Sequence, residues 1–217
     1  IMEVIPQVAK GLQVTITVLL ASALLAYLLA FVAGLSKLSN NVLIRKATGV
    51  YVEIFRGTSL IVQLFWLYYA IPMLFGIQLG TNCWIGVIAI GLNYGAYLSE
   101  VVRSSIVAVD KGQSEAATAL NMSSFQRMRL IIFPQAVRMM LPEFGNYTIL
   151  ILKSTSLVSL IGLHDVLYYG DIIRSTNASA TPIVYGVILV FYFILALPLI
   201  WMTRKGEAIA KKGAASS

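Results

Sequence analysis

Five apolar stretches, separated by shorter polar segments, dominate the sequence. They cover residues 11–35, 48–74, 83–107, 142–163 and 183–202. Each has about 20 residues or more, which is the length that an α-helix needs to cross the hydrocarbon core of a bilayer. The pattern predicts an all-α integral membrane protein in which residues 1–217 form one transmembrane domain, a bundle of about five helices.

The longest polar interruption, about residues 110–134, is predicted to be a loop of two short helices joined by a turn. Ser114 is expected to cap the first helix and to place Glu115 in its first turn, near the positive end of the helix dipole. Asn121 is expected to end this helix in a left-handed conformation, which asparagine adopts at low cost. Ser123 caps the second helix in this prediction, and the proline at the end of the segment interrupts or ends it.

The composition agrees with a membrane location and leaves little material for catalysis. Charged residues make up 12% of the chain, against about 25% in a soluble domain. The single cysteine, Cys83, excludes an intrachain disulfide. The single histidine, His164, leaves His-based metal sites and a Ser-His-Asp triad almost no material. We therefore expect a chain that is not an enzyme, with no catalytic residues, no metal site and no cofactor of its own.

The distribution of Lys and Arg predicts the orientation in the membrane, because these residues concentrate in cytoplasmic loops. With five spans the two termini lie on opposite sides, and an external N-terminus leaves only Lys10 and Arg174 clearly outside. The residues that this orientation places inside are Lys37, Arg45, Lys46, Arg103, Lys111, Arg127, Arg129, Arg138, Arg204, Lys205, Lys211 and Lys212. The net charge of +7 is thus assigned to a cytoplasmic membrane face and not to a nucleic-acid surface. The C-terminus and the loop at 110–134 are predicted to be cytoplasmic.

Polar residues inside the apolar stretches are costly in hydrocarbon and are candidates for a solute pathway. Asn93, Tyr97 and Glu100 follow one another at spacings of four and three, so they share one helical face. Asn93 either contacts a solute in a central cavity or makes an interhelical hydrogen bond. Glu100 either meets a substrate ammonium group or pairs with Arg103, three residues further on. Gln63, the polar exception in an apolar run, joins this set of candidates.

Lys153 lies near the middle of the fourth stretch and is the most deeply placed ionisable residue. It either faces a central cavity, where it would hold a substrate carboxylate, or pairs with Glu100 or a helix carbonyl. The neighbouring Ser154 and Ser156 offer hydroxyl groups that contact a zwitterion or bond back to the helix. The spacing leaves these alternatives open.

Four motifs stand at Phe55–Leu60, Tyr97–Arg103, Glu115–Pro134 and Leu152–Leu157. Together they resemble the permease subunits of ABC importers, in particular the branch that takes up polar amino acids. The cytoplasmic-loop signature of that family is a Glu-Ala-Ala triplet, a glycine-type position, an isoleucine and a Leu-Pro-type pair at fixed spacing. It falls on Glu115-Ala116-Ala117, Asn121, Ile131 and Phe133-Pro134. Asn121 in place of glycine and Phe133 in place of leucine keep a left-handed turn and a bulky apolar contact. The other three motifs are Phe55–Leu60, Tyr97–Arg103 and Leu152–Leu157.

The resemblance implies a multi-pass protein of the bacterial cytoplasmic (inner) membrane with three kinds of protein partner. These are ATPase subunits, a second permease subunit that is identical or homologous, and an extracytoplasmic solute-binding protein. The residues implied to contact the ATPase are Glu115, Ala116, Ala117, Asn121 and Met122. The chain lacks the Gly-x-x-x-x-Gly-Lys-Ser/Thr loop that binds nucleotide phosphates. ATP and Mg²⁺ are therefore expected on the partner ATPase.

Ser154 bears on the identity of the solute. Family members that import cationic amino acids often carry an acidic residue at this position, so Ser154 removes that counter-charge. The resemblance then implies a polar amino acid or a related zwitterionic derivative, including cyclic derivatives used as osmolytes. The alternative is a secondary transporter of small zwitterions driven by an ion gradient. It would need acidic sites at mid-membrane and no cytoplasmic loop for coupling to an ATPase. This sequence has few central acids and carries the Glu115-Ala116-Ala117 loop.

Overall fold

The computed structural model describes residues 4–77 and 80–214, and over these ranges the chain is helical without a β-strand. The α-helices are α1 (Val4–Ala9), α2 (Leu12–Ser36), α3 (Val42–Gly57), α4 (Leu60–Phe65), α5 (Ile71–Phe75), α6 (Asn82–Val107), α7 (Lys111–Ala119), α8 (Ser124–Arg127), α9 (Phe133–Ser154), α10 (Val166–Thr176) and α11 (Thr181–Ala214). Two π-helical turns, Trp66–Ala70 and Met128–Ile132, and two 3₁₀ segments, Thr155–Ile161 and Ala178–Ala180, join some of them.

Within the described residues, four helical segments are long and apolar enough to cross a membrane. They are Val4–Ser36, Asn82–Val107, Ser124–Ile161 and Ala178–Ala208. A fifth crossing is available if α3 and the segment Leu60–Phe75, which meet at an angle of 105°, count as one span. The fold is therefore the all-α membrane bundle of about five helices that the apolar pattern predicts.

The second apolar stretch differs most from the prediction of one span over residues 48–74. Its helix begins earlier, at Val42, and breaks between Gly57 and Leu60. Thr58 and Ser59 have extended backbones there. The Gln63 side-chain amide bridges the break, because its nitrogen donates to the Thr58 hydroxyl at 2.6 Å. The apolar pattern predicts one continuous helix, whereas the backbone bends by 105° within this stretch.

The fourth stretch is longer than the predicted 142–163, because Pro134, which was predicted to interrupt or end the preceding helix, follows an interruption of its α-helical pattern but does not end it. The chain stays helical from Ser124 to Ile161, and Pro134 lies in the first turn of α9, directly after the π-helical turn. The Phe133 N–H donates to the Met128 carbonyl, five residues back. Such a widened turn accommodates the proline, which has no N–H of its own.

The last stretch also extends beyond its predicted end at residue 202. Helix α11 continues through Pro198 and through the basic segment that follows, as far as Ala214. Alanine, lysine and arginine favour helix, and they extend it beyond the edge of the apolar run. The polar segment before it, residues 162–182, contains the short helix α10.

The core lies where α2 crosses α6, at a contact made of small residues. A Cβ atom added to Gly91 would stand 2.6 Å from Leu25 Cδ2, and one added to Gly95 would stand 2.8 Å from Leu29 Cβ. The facing residues Ala26 and Ala30 are fully buried. Because small side chains let helix backbones approach closely, these positions fix α6 at the centre of the bundle.

Candidate functional site

Helix α7, the first helix of the polar loop, begins earlier than predicted. Asp110 and not Ser114 is its N-cap, with Asp110 Oδ1 accepting from the Gly112 N–H at 2.6 Å. Aspartate is as strong an N-cap as serine, and it comes first in the chain. Glu115 therefore lies in the second turn of α7, exposed to solvent, and not in the first turn as predicted.

The turn after α7 is the one that the sequence predicts. Asn121 has a φ of +56°, a left-handed conformation. The Met122 N–H donates to the Ala117 carbonyl at 3.1 Å, and the Leu120 N–H donates to the Ala116 carbonyl at the same distance. These bonds satisfy carbonyl groups at the end of the helix, so the chain reverses within a few residues.

The two helices of the loop are tied to each other. Ser123 caps α8 as predicted and forms a capping box with Gln126. Arg127, at the end of α8, donates to the Thr118 hydroxyl on α7 at 2.9 Å. Ala117 is only 1% exposed, so its methyl group packs inside the loop. The loop is a braced unit and not a pair of independent helices.

The surface of the loop combines one acid with apolar side chains. Glu115 and Ala116 are exposed, and so are Leu120 and Phe125, at 75% and 71%. Exposed apolar side chains of this size mark contact surfaces. Of the residues implied to contact an ATPase, Ala117 is the one that faces inward.

Glu100 belongs to a charged cluster at the end of the bundle near this loop. Lys37, which caps α2, donates to Glu100 Oε2 at 2.9 Å, and Arg103 Nε donates to Glu100 Oε1 at 2.6 Å. Among the described residues these two are the salt-bridge partners of Glu100, so the alternative of a pair with Lys153 is wrong. The cluster joins α2 to α6.

Asn93 and Gln63 meet at the break between α3 and α4. The Asn93 side-chain amide donates to the Phe55 carbonyl at 2.9 Å and to Gln63 Oε1 at 3.0 Å. Asn93 is 4% exposed, so these bonds are shielded from solvent. Of the two alternatives that the sequence left open for Asn93, this geometry provides the interhelical hydrogen bond.

A cluster of tyrosines forms a partly exposed surface between α3, α6 and α9. The ring centroids of Tyr94, Tyr97 and Tyr147 lie 6.1–6.4 Å apart. The Tyr94 hydroxyl bonds to Ser154 Oγ at 2.7 Å, and the Tyr97 hydroxyl donates to the Arg56 carbonyl at 3.1 Å. The Arg56 guanidinium carbon lies 5.3 Å from the centroid of the Tyr97 ring. We call these five residues the tyrosine surface.

Two members of the tyrosine surface, Tyr97 and Ser154, are among the predicted pathway residues, and the other three were missed. A helical spacing could have found two of them. Tyr94 precedes Tyr97 by three residues, and Tyr147 precedes Ser154 by seven, so each pair shares a helix face. Arg56 has no such spacing signal, but it is a charged residue inside the apolar stretch 48–74 and part of the motif Phe55–Leu60, and that signal could have found it.

Lys153 and Ser156 lie beside the tyrosine surface but do not join it through hydrogen bonds within the described residues. Lys153 is exposed in the last turn of α9, so its charge is not in the core as its place in the apolar stretch suggests. The Ser156 hydroxyl donates to the Lys153 carbonyl at 2.8 Å. For Ser156 this is the bond back to the helix that the sequence left as one alternative.

At the opposite end of the bundle, Asp165 is a buried carboxyl group outside the spanning segments. It caps α10, with Oδ1 accepting from the Tyr168 N–H at 2.9 Å, and Oδ2 accepts from the Tyr192 hydroxyl at 3.4 Å. Its side chain has no exposed area. Burial raises the pKa of Asp165 to about 6, although the hydrogen bond from the Tyr168 backbone acts in the opposite direction.

The sequence is similar to those of known transport proteins. The family model described as "Binding-protein-dependent transport system inner membrane component" matches residues 10–204. The protein named "Probable amino-acid ABC transporter permease protein y4tF", from Sinorhizobium fredii, is 44% identical over 203 residues, which cover 92% of this chain and 85% of that one. The arginine transport system permease protein ArtQ of Bacillus subtilis is 34% identical, covering 96% of this chain and 93% of that one.

A solved structure has the same fold as this chain. A crystal structure of an amino acid ABC transporter with histidines matches with a TM-score of 0.85 and 33% sequence identity, covering 95% of this chain and 94% of that chain. Fold, family model and relatives therefore point the same way. This chain belongs to the family of binding-protein-dependent transport system inner membrane components, the membrane-spanning permease subunits of ABC importers.

Proposed function

We propose that this permease imports polar amino acids or related zwitterionic derivatives, including osmolytes, and that separate ATPase subunits drive it through the loop of α7 and α8. The observation that carries the proposal is the braced loop, with Glu115 and Ala116 exposed and Ala117 packed inside. ATP and Mg²⁺ belong to the partner ATPase in this proposal. The orientation follows the Lys and Arg distribution, with the N-terminus outside and the loop and C-terminus in the cytoplasm of a bacterium.

The loop is placed to transmit motion toward the tyrosine surface. Arg127 ties α7 to α8, and α8 is continuous with the helical segment that carries Tyr147 and Ser154. When the ATPases close on ATP, a displacement of α7 would tilt this segment. Such a tilt is a switch between two states, biased by the partner's different affinity for each.

The tyrosine surface has the chemistry to meet a zwitterion. A guanidinium such as that of Arg56 binds a carboxylate through paired hydrogen bonds, and tyrosine rings attract an ammonium group through their π faces. Ser154 presents a neutral hydroxyl where a carboxylate would favour a cationic side chain. Lys153, next to it and exposed, adds a second positive charge. We therefore propose Tyr97, Lys153 and Ser154 as solute contacts, with Tyr94 and Tyr147 added from the geometry.

The proposed partners follow from the same arrangement. A second permease subunit, identical or homologous, would complete the pathway opposite the tyrosine surface, and a solute-binding protein would deliver solute at the end that carries Asp165. The alternative of a secondary transporter driven by an ion gradient has no support from the relatives described above, which are ABC transporter permeases.

Uptake into proteoliposomes tests the proposed solute class. The permease is reconstituted with its ATPase and solute-binding protein and is offered a neutral polar amino acid, a cyclic zwitterionic derivative, arginine and lysine. We expect the neutral or zwitterionic solutes to be preferred, because Ser154 provides no counter-charge for a cationic side chain. A preference for arginine, the solute named for the relative ArtQ, would contradict this part of the proposal.

A further inference from the structure

A groove of about 270 Å³ opens on the outside of the bundle between α2, α9 and α11. Its lining residues are Tyr27, Leu141, Phe144, Gly145, Thr148, Leu199, Met202 and Gly206. The walls are mostly apolar, and the Tyr27 hydroxyl is occupied by a hydrogen bond to Thr148. Such a groove suits a hydrocarbon chain better than a polar solute.

Helices α9 and α11 approach each other closely along the groove. A Cβ atom added to Gly145 would stand 2.3 Å from Thr203 Oγ1, so α9 and α11 touch along this line. A Cβ atom added to Gly206 would stand 3.3 Å from Leu141 Cβ. These contacts bring α9 and α11 together beside the groove, and the exposure of Leu141 and Met202 shows that the groove is open to the surface of the bundle.

The outward side of α11 has the character of a lipid-facing surface that ends at a membrane interface. Exposed apolar residues follow one another at helical spacing along it, namely Leu189, Phe193, Leu197 and Trp201. Met202, at the rim of the groove, is 62% exposed. Lys205 lies one turn beyond Trp201, with its Nζ 3.6 Å from the Trp201 ring centroid. A tryptophan followed by cations is the usual signature of the interface between lipid tails and headgroups.

Two exposed cations neighbour lining residues of the groove along the chain. Arg138 is on α9, one turn from Leu141 in the direction of the loop. Lys205 is on α11, immediately before Gly206. The acidic residue in this part of α11, Glu207, follows Gly206 on the side away from Met202. Positive side chains therefore stand next, along the chain, to residues of the apolar wall.

We propose that this groove binds an anionic phospholipid, with an acyl chain against Leu199 and Met202 and its phosphate beside Arg138 and Lys205. Cations immediately beyond the apolar part of a spanning helix attract anionic headgroups. The proposal needs only the membrane location and the groove, so it does not depend on the identity of the solute. Because α9 carries both a wall of the groove and part of the tyrosine surface, a bound lipid would brace a helix that is proposed to move.

Trp201 provides a reporter beside the proposed phosphate position. Trp66 and Trp84, both exposed, are replaced by Phe so that Trp201 is the one tryptophan left in the permease, and a sample with Trp201 also replaced by Phe provides the background from the ATPase. The permease, with its ATPase, is reconstituted into phosphatidylcholine vesicles with increasing fractions of brominated phosphatidylglycerol or, separately, brominated phosphatidylcholine. We expect half-quenching at a lower mole fraction of the anionic lipid, with each cation contributing about fivefold.

Charge variants separate a built site from general attraction to the surface. In R138A/K205A the preference for the anionic lipid should be lost, whereas R138K/K205R should retain it and so report correct folding. Arg204 is the matched control, since it is also exposed but lies on another side of α11. Equal quenching by both lipids in the unmodified background would overturn the proposal. So would an R204A variant that loses as much preference as the double variant.

Discussion

The carboxyl group of Asp165 is fully buried at the start of α10, and its chemistry follows from that burial. Its pKa of about 6 in the folded protein lies above the ordinary value of 3.8. The folded state therefore holds a proton that the unfolded state releases at lower pH. The stabilisation is complete below the ordinary pKa and is lost as the pH rises toward 6.

We expect the free energy of unfolding to fall between about pH 4 and pH 6 by up to about 3 kcal/mol and to level off above that range. Thermal denaturation of the purified protein across this range measures the effect. Asp165→Asn keeps an oxygen that can accept from the Tyr168 N–H but cannot titrate, so this part of the pH dependence should disappear in the variant. An unchanged pH profile in the variant would contradict the assignment.

Asn93 allows a second test of a single side chain. Asn93→Leu removes both hydrogen bonds across the break and leaves the Gln63 oxygen without this donor. We expect a loss of about 1–3 kcal/mol in stability, measured as a lower denaturation temperature. Asn146→Leu is the control, because Asn146 is exposed on α9. If Asn93 served only as a solute contact, its substitution would change the affinity for solute and leave the denaturation temperature in place.

Single residues also show which contacts a sequence can foretell. The pair of Glu100 with Arg103 could be predicted, because residues three apart on a helix are neighbours. Lys37, the other partner of Glu100, lies 63 positions earlier in the chain. Only the packing of α2 on α6 brings it there, and no local spacing contains that information.

At the scale of the elements, the loop of α7 and α8 has an exposed side, which includes Glu115 and Ala116, and a packed side, which includes Ala117. Glu115→Lys reverses the exposed charge and should leave the loop folded. We expect it to weaken the coupling of ATP hydrolysis to uptake by about tenfold, within the usual range for coupled sites. The ratio of uptake to ATP hydrolysis in proteoliposomes measures this. Normal uptake with normal membrane insertion would count against the loop as the site of coupling.

Neighbouring alanines provide a matched pair for the same loop. Ala117→Leu forces a larger side chain into the packed interior and should destabilise the loop by about 1–3 kcal/mol. Ala116→Leu adds the same atoms on the exposed side and should leave stability unchanged while it alters contact with the ATPase. Hydrogen exchange of the α7 amides distinguishes the two. Equal protection in both variants would mean that Ala117 does not support the loop.

The sequence predicts some elements more accurately than others. Helices α2 and α6 lie within one or two residues of the apolar stretches at 11–35 and 83–107, since their patterns are unbroken. The break after Gly57 and the π-helical turn before Phe133 were not foreseen. The break depends on hydrogen bonds from Gln63, and at the π turn the backbone adjusts around Pro134. Hydropathy carries neither kind of information.

At the scale of the whole molecule, the proposed source of energy can be tested directly. Proteoliposomes that contain the permease, its ATPase and its solute-binding protein are loaded with ATP and treated with ionophores. We expect uptake to persist when proton and sodium gradients collapse and to stop when ATP is replaced by a non-hydrolysable analogue. Loss of uptake on collapse of either gradient would instead favour ion coupling.

The length of the helical segment from Ser124 to Ile161 has a mechanical consequence, because a small rotation at one end of a long segment gives a large displacement at the other. At 1.5 Å per residue, its 38 residues span about 57 Å. A rotation of about 5° about one end displaces the other by about 5 Å, roughly the rise of one helical turn. In the coupling proposed above, a small movement at the ATPase contact would therefore be enough for the far end of this segment to open or close the solute passage.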